Sequence, residues 1–197
     1  MPNVLVLYAH PAPHKSRINR RLVEAAQTVA GVTVRDLYEL YPDFLIDVAD
    51  EQRLLAEHDI LVFQHPFYWY SAPALVKEYL DLVLTYGWAY GEKGTALHGK
   101  VMLQAISAGG PEEVYHAGGR NRFTIRQLLA PFDQTAHLCG MRYLAPHVIH
   151  GANHFTGEAD IRPLAQNYAR LLTALRDETL PLQEATTAEK INALIPT

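Results

Sequence analysis

Residues 59–84 read DILVFQHPFYWYSAPALVKEYLDLVL, and the order of residue types in this stretch decides the fold. Its opening run, DILVFQ (59–64), is apolar almost throughout, which predicts a strand covered on both faces. Its end, PALVKEYLDLVL (73–84), spaces apolar side chains three and four residues apart, which predicts a helix with one buried stripe. Between them Phe67, Tyr68, Trp69 and Tyr70 stand in a row, bracketed by Pro66 and Pro73. Aromatics this dense at a strand exit are a core plug, a subunit contact or the wall of a site for a flat ligand.

The same alternation runs outward in both directions. Strand-like runs occur at NVLVLY (3–8), VTVRDL (32–37), VMLQAIS (101–107) and LAPHVIHG (144–151). Helical patterns lie between and after them, at 17–30, 48–58, 121–140 and 159–178. Five apolar strands separated by helices predict an α/β, doubly wound, five-stranded parallel sheet with helices on both faces. Residues 1–178 read as one domain, and 179–197, with weaker patterning, as a C-terminal tail or arm.

Composition narrows the class. A chain of 197 residues, 49% hydrophobic and 19% charged, is long and apolar enough for a full core and is not a disordered sequence. A formal charge of −4 offers no basic face for nucleic acid. The single cysteine, Cys139, excludes an internal disulfide and a cysteine zinc cluster, and reads as a buried small hydrophobe. No apolar run approaches the roughly 18 residues of a membrane span, and MPNVLVLYAHP lacks a basic leader, so a cytoplasmic location is expected.

In open α/β sheets ligands sit beyond the carboxyl ends of the strands, which directs attention to three loops. The first, AHPAPHKSRINRRL (9–22), carries His10, Ser16, Arg17, Ile18 and Asn19 ahead of a helix, where free amides and the helix dipole favour a phosphate. The plainer reading makes Ser16 a helix N-cap. In the second, Pro66 and Pro73 stiffen the aromatic row. The third contains Ser107, Ala108, Gly109 and Gly110, whose glycines let the backbone approach a planar ring, with Tyr115 five residues on. A simple glycine turn is the alternative there.

Other signatures fall away. There is no G-x-G-x-x-G, and GTALHGKV (94–101) has Val101 where a P-loop needs Ser or Thr and precedes a strand instead of following one. His147 and His150 in HVIHGANH are three apart, which on a strand places them on opposite faces, so no metal site is expected. Glu112 and Glu113 read as a solvated start to the next helix.

Together the three loops resemble those of the flavodoxin-like NAD(P)H:quinone oxidoreductases. YAHP, VFQHPFYWYSAPALVKEYLD, GWAYG and GTALHGK are similar, within that family, to the Kef ancillary proteins of glutathione-regulated potassium-efflux systems. The resemblance implies strand order 2-1-3-4-5 and a flavin, FMN in preference to FAD because no segment is evident for an adenine. His10 and Ser16 to Asn19 would hold the flavin phosphate and ribityl chain. Pro66 to Tyr70 and Ser107 to Gly110 would flank the ring, and Tyr115 would act on the catalytic face. It further implies NAD(P)H and quinone as substrates in two-electron ping-pong hydride transfer. The implied partners are a second copy of the chain and a potassium-efflux antiporter on the cytoplasmic face of the inner membrane. The alternative is a non-catalytic, flavin-binding regulatory subunit. Asn121 departs from the pattern, because eukaryotic-type reductases carry a histidine six residues after the tyrosine.

Overall fold

The computed structural model describes residues 1–196. The sheet is formed by β1 (Val4–Tyr8), β2 (Val32–Asp36), β3 (Ile60–Pro66), β4 (Val101–Ser107) and two short segments, β5 (Arg142–Tyr143) and β6 (His147–Ile149). The strand order is β2-β1-β3-β4-β5, with β6 also paired to β4 and every pairing parallel.

Successive strand residues supply two cores, as the twofold pleat requires. Leu5, Leu7, Leu61 and Phe63 face α3 (Val48–Glu57), α4 (Ala74–Val83) and α6 (Ala130–Leu138). Val4, Val6, Ile60 and Val62 face α1 (Ile18–Ala26) and the long α7 (Glu158–Arg176). Full burial of each such side chain contributes about 2 kcal/mol. Short helices α2 (Leu37–Leu40), α5 (Ile125–Leu128) and α8 (Leu182–Thr187) complete the chain. Glu51 is fully buried beneath this layer, but its carboxylate is saturated by Arg35, Tyr41 and Tyr79.

Two expectations need correction. The run 144–151 is not one strand. Pro146 has no amide, and the Ala145 amide donates to the Ala185 carbonyl (2.7 Å) instead of to β4, so pairing lapses between β5 and β6. The helix expected over 121–140 breaks into α5 and α6, with Pro131 admitted in the first turn of α6, where its missing amide costs nothing.

The segment beyond α7 fills the gap it helps to create. Leu180, Ala185, Ile191 and Ile195 are buried against the α7 face. The Asn192 side chain exchanges two hydrogen bonds with the Val148 backbone (3.0 and 2.9 Å), as a neighbouring strand would. Among the described residues no helix is long and apolar enough to cross a membrane.

Candidate functional site

The loops after β1, β3 and β4 are tied to one another by buried polar groups. The Asn19 amide donates to the Ser107 hydroxyl (2.7 Å), and the Gln64 amide donates to the Asn19 carbonyl (2.8 Å). The Phe67 N–H donates to the Ser107 carbonyl (2.9 Å), and the Ala9 N–H to the Gln64 carbonyl (2.9 Å). These ties surround a cavity of about 350 Å³, at the low end of the range for small-ligand sites. His10, Ser16, Arg17, Ile18 and Asn19 line it from the first loop, Pro66, Phe67 and Tyr68 from the second, and Ser107 and Gly109 from the third.

The polar atoms here are unevenly satisfied. The Ser16 hydroxyl accepts from the Arg20 amide (3.1 Å), so it does serve the start of α1. Asn19 Oδ1, Gln64 Oε1 and the Tyr8 hydroxyl are buried without a partner. Each such group costs about 1–3 kcal/mol until something bonds it; ligand hydroxyls could donate to the two amide oxygens, and an anion could accept only from the Tyr8 hydroxyl. His10 Nδ1 accepts from the Ala12 N–H (3.1 Å), which puts its proton on Nε2. Burial, and then His14, hold its pKa below the usual histidine value.

A second hollow of about 210 Å³ adjoins the first through Phe67. Trp69, Tyr70, Gly110, Tyr115, Arg120 and Asn121 line it. The chain turns tightly here: Ser71 N–H donates to the Tyr68 carbonyl (3.0 Å), with Trp69 at φ 49° and Tyr70 at φ 64°. Left-handed backbone costs a non-glycine residue about 1–2 kcal/mol, yet Trp69 is 92% exposed and gains nothing from the core. The Tyr115 ring packs against Phe67 (centroids 6.2 Å) and His150 (5.5 Å). Its pKa is raised by burial and then by Tyr70. Asn121 stands at the mouth, where its Oδ1 accepts from the Tyr70 hydroxyl at 3.4 Å.

Of the residues singled out in the sequence, ten line the cradle and five the mouth, with Phe67 in both; Ala108 lines neither. It is fully buried, with its N–H spent on the Ile149 carbonyl and its carbonyl on the Ala152 N–H. The sequence reading missed Ala152 and Asn153, which close the cradle from the loop after β6. A Cβ on Gly109 would lie 3.0 Å from Asn153 Nδ2, so the glycine admits this neighbour. The strand-end rule that led to three loops applies to a fourth, and following it past β6 finds these residues. The His147 and His150 rings go to different neighbours, Tyr168 and Tyr115.

This sheet order, with its site at the ends of β1, β3 and β4, defines a class, and the chain belongs to the family described as having a flavodoxin-like fold, whose profile matches residues 2–174. Over 151 residues it is 53% identical to the glutathione-regulated potassium-efflux system ancillary protein KefG of Pectobacterium atrosepticum, covering 77% of this chain and 82% of that one. It is 48% identical to general stress protein 14 of Bacillus subtilis over 86% of this chain and 96% of that one.

Among solved structures, general stress protein 14 of Treponema denticola in complex with FMN is 40% identical at a TM-score of 0.79, covering 90% and 99% of the two chains. An NADPH-quinone reductase from P. pentosaceus is 30% identical at 0.77, covering 86% and 96%. A protein described as a thermophilic tryptophan halogenase from Streptomycin violaceusniger is 48% identical at 0.82, covering 85% and 97%, and its name denotes a different reaction.

Proposed function

We propose that this protein is an FMN-dependent NAD(P)H:quinone oxidoreductase. The observation that carries the proposal is the pairing of two unlike hollows at one sheet edge. One is lined by His10, Ser16, Arg17 and Asn19, and the Asn19 Oδ1 there is a buried acceptor without a partner. The other is lined by Phe67, Trp69 and Tyr70 and faced by the Tyr115 phenol. A flavin mononucleotide has the matching parts, an anionic polyol tail and a planar ring. The FMN complex of the 40% identical protein supports the assignment.

FMN when bound would supply the hydride chemistry, since it accepts two electrons from a nicotinamide and returns them to a quinone. The chain's own residues bind, orient and manage protons. Arg17 and the first amides of α1 favour the phosphate. Asn19, held by Ser107, offers its free Oδ1 to the polyol. Phe67 and Tyr68 wall the ring, while Gly109 and Gly110 let the backbone come close to it. Tyr115, kept protonated by its raised pKa, donates a hydrogen bond and then a proton to the quinone oxygen. Nicotinamide and quinone would use the one open mouth in turn, which is ping-pong order.

Two partners belong to the same proposal. Trp69, Tyr70 and Tyr86 are exposed, and a concavity of about 570 Å³ lies between α4 and α6, lined by Leu80, Leu84, Phe132 and Leu138. A second copy of the chain seated here would cover both and complete the mouth. Identity to KefG supports docking of the dimer on a potassium-efflux antiporter from the cytoplasmic side. Potassium efflux measured in cells lacking other ancillary subunits, with and without this protein, checks that role.

The reading is tested by loading the protein with FMN and following its visible absorbance. NAD(P)H should bleach it and a quinone restore it. Absence of both strokes overturns the reading. Halide-dependent modification of tryptophan without quinone turnover would replace it with the chemistry of the halogenase relative.

A further inference from the structure

The loop after β4 closes on itself before α5 begins. The Asn121 N–H donates to the Val114 carbonyl (3.0 Å), the Gly119 N–H to the His116 carbonyl (2.9 Å) and the Arg122 N–H to the Gly119 carbonyl (3.1 Å). A Cβ on Gly119 would lie 2.6 Å from the Val114 oxygen, so only glycine lets the loop shut. What this braced loop presents is positive charge. Residues 114–132 contain Arg120, Arg122 and Arg126 and no Asp or Glu, in a chain whose formal charge is −4. Arg126 is spent on the carbonyls of Thr186 and Ala188. Elsewhere Arg20, Arg21, Arg35, Arg53 and Arg176 each pair with a carboxylate. Arg120 and Arg122 are exposed, and neither guanidinium has a partner among the described residues. Arg120 is the one charged side chain among the described residues that line the mouth. Burial and Tyr70 raise the Tyr115 pKa, and the Arg120 charge opposes them at that phenol. Arg122 is held at φ 64°, left-handed backbone that costs about 1–2 kcal/mol, with no contact of its side chain to offset it.

We propose that Arg120 and Arg122 hold the phosphates of the hydride donor, Arg120 the pyrophosphate and Arg122 the 2′-phosphate, and so make NADPH preferred over NADH. The inference deepens the quinone reductase reading above and rests on it. A quinone is neutral and leaves two free guanidiniums unused, whereas the nicotinamide donor carries a pyrophosphate one ribose away from its reacting ring. Its phosphorylated form adds a second anionic group on the adenosine ribose, and guanidinium forks match phosphate oxygens. With the nicotinamide at the mouth beside Tyr115, the pyrophosphate comes to the rim where Arg120 stands. The adenosine half then runs outward along the loop toward Arg122, two residues further on. NADH lacks the group that Arg122 would meet. At an open rim, screened in part by water and salt, each contact contributes about tenfold in affinity.

The test compares NADPH with NADH as donors to the FMN-loaded full chain, and NADP⁺ with NAD⁺ as ligands in calorimetry. The wild type should favour the phosphorylated form about tenfold in both, and the preference should shrink as salt is raised. Arg122→Gln should raise KM for NADPH and Kd for NADP⁺ about tenfold while the unphosphorylated pair stays within about twofold. Arg122→Lys keeps the charge and should restore most of the preference. Arg120→Gln should raise KM for both donors alike, about tenfold, with less effect on kcat. Arg122→Gln acting equally on both donors overturns the proposal. So does a loss with N-benzyl-dihydronicotinamide, a donor without phosphate, as large as the loss with NADPH. A wild type whose flavin neither nucleotide bleaches rejects the reductase reading and this inference with it; a wild type that uses both nucleotides equally rejects the inference alone.

Discussion

The cradle and the mouth of this site share Phe67 and little else. In the cradle, Ser16, Asn19 and Ser107 are nearly inaccessible, and their side chains are engaged with backbone or with one another. In the mouth, Trp69 and Tyr70 are exposed and held in left-handed backbone, and Arg120 is free in solvent. A hydrogen-bonded pocket suits a ligand that stays, because immobilised donors and acceptors lose no further entropy on binding. An open rim with strained aromatics suits molecules that come and go, or a second subunit that covers it. Under the proposed function, the difference would separate retention of a cofactor from turnover of substrates within one sheet edge.

The sheet beneath both hollows is the part most sensitive to pH. His65, directly ahead of Pro66, and His147 in β6 are fully enclosed, and burial pushes each pKa down to about 4 from an ordinary 6.5. The unfolded chain therefore takes up these protons first as pH falls. Their stabilising contribution is complete above about pH 6.5 and is lost as pH drops toward 4, by a few kcal/mol in all. Urea titrations at pH 7 and 4.5 should show the loss, and His65→Gln together with His147→Gln should flatten the profile. An equal decline in that double variant would break the assignment.

Within the cradle, Asn19→Leu removes the tie to Ser107 and the free Oδ1 while keeping the number and branching of side-chain heavy atoms. Flavin affinity measured by fluorescence quenching should fall 10- to 100-fold, or about 1.4–2.8 kcal/mol. Unaltered affinity would mean that the ligand does not use this loop. At the boundary with the mouth, Tyr115→Phe should reduce quinone turnover about tenfold and leave flavin affinity as it was. A change below about twofold would remove the phenol from the mechanism, since tenfold is about 1.4 kcal/mol.

The smallest effect on stability is expected at Trp69. Trp69→Gly relieves left-handed strain and removes no buried contact, so stability should stay within about 1 kcal/mol of the parent. The same variant should weaken self-association in sedimentation experiments if a second copy covers the aromatic turn. Unchanged association would detach the turn from any subunit contact.

Legibility in the sequence followed the locality of the cause. The strands at 3–8, 59–64 and 101–107 were legible because burial on both faces writes an unbroken apolar run. The split of the fifth strand was not, since it depends on Ala185, forty residues away, claiming the Ala145 amide. The fit of Ile191 and Ala185 into the core was hidden for a related reason: short helices and turns give too few periods to pattern. Pro66, Gly109 and Tyr115 declared themselves by type and position at strand ends. Asn153 and His150 arrive from a loop whose histidine spacing was read only for a metal site, and only packing brings them to Gly109 and Tyr115.

The central claim is that one mouth serves two electron donors and acceptors in turn while the cradle keeps the flavin. Anaerobic stopped-flow spectroscopy of FMN-loaded protein tests it most directly. Mixing with NADPH or NADH should bleach the flavin band, and a benzoquinone added after the nucleotide is removed should restore it, with the flavin retained on the protein through both strokes. A band that NAD(P)H leaves untouched, a reduced protein that quinone does not reoxidise, or flavin shed between the strokes would contradict the account.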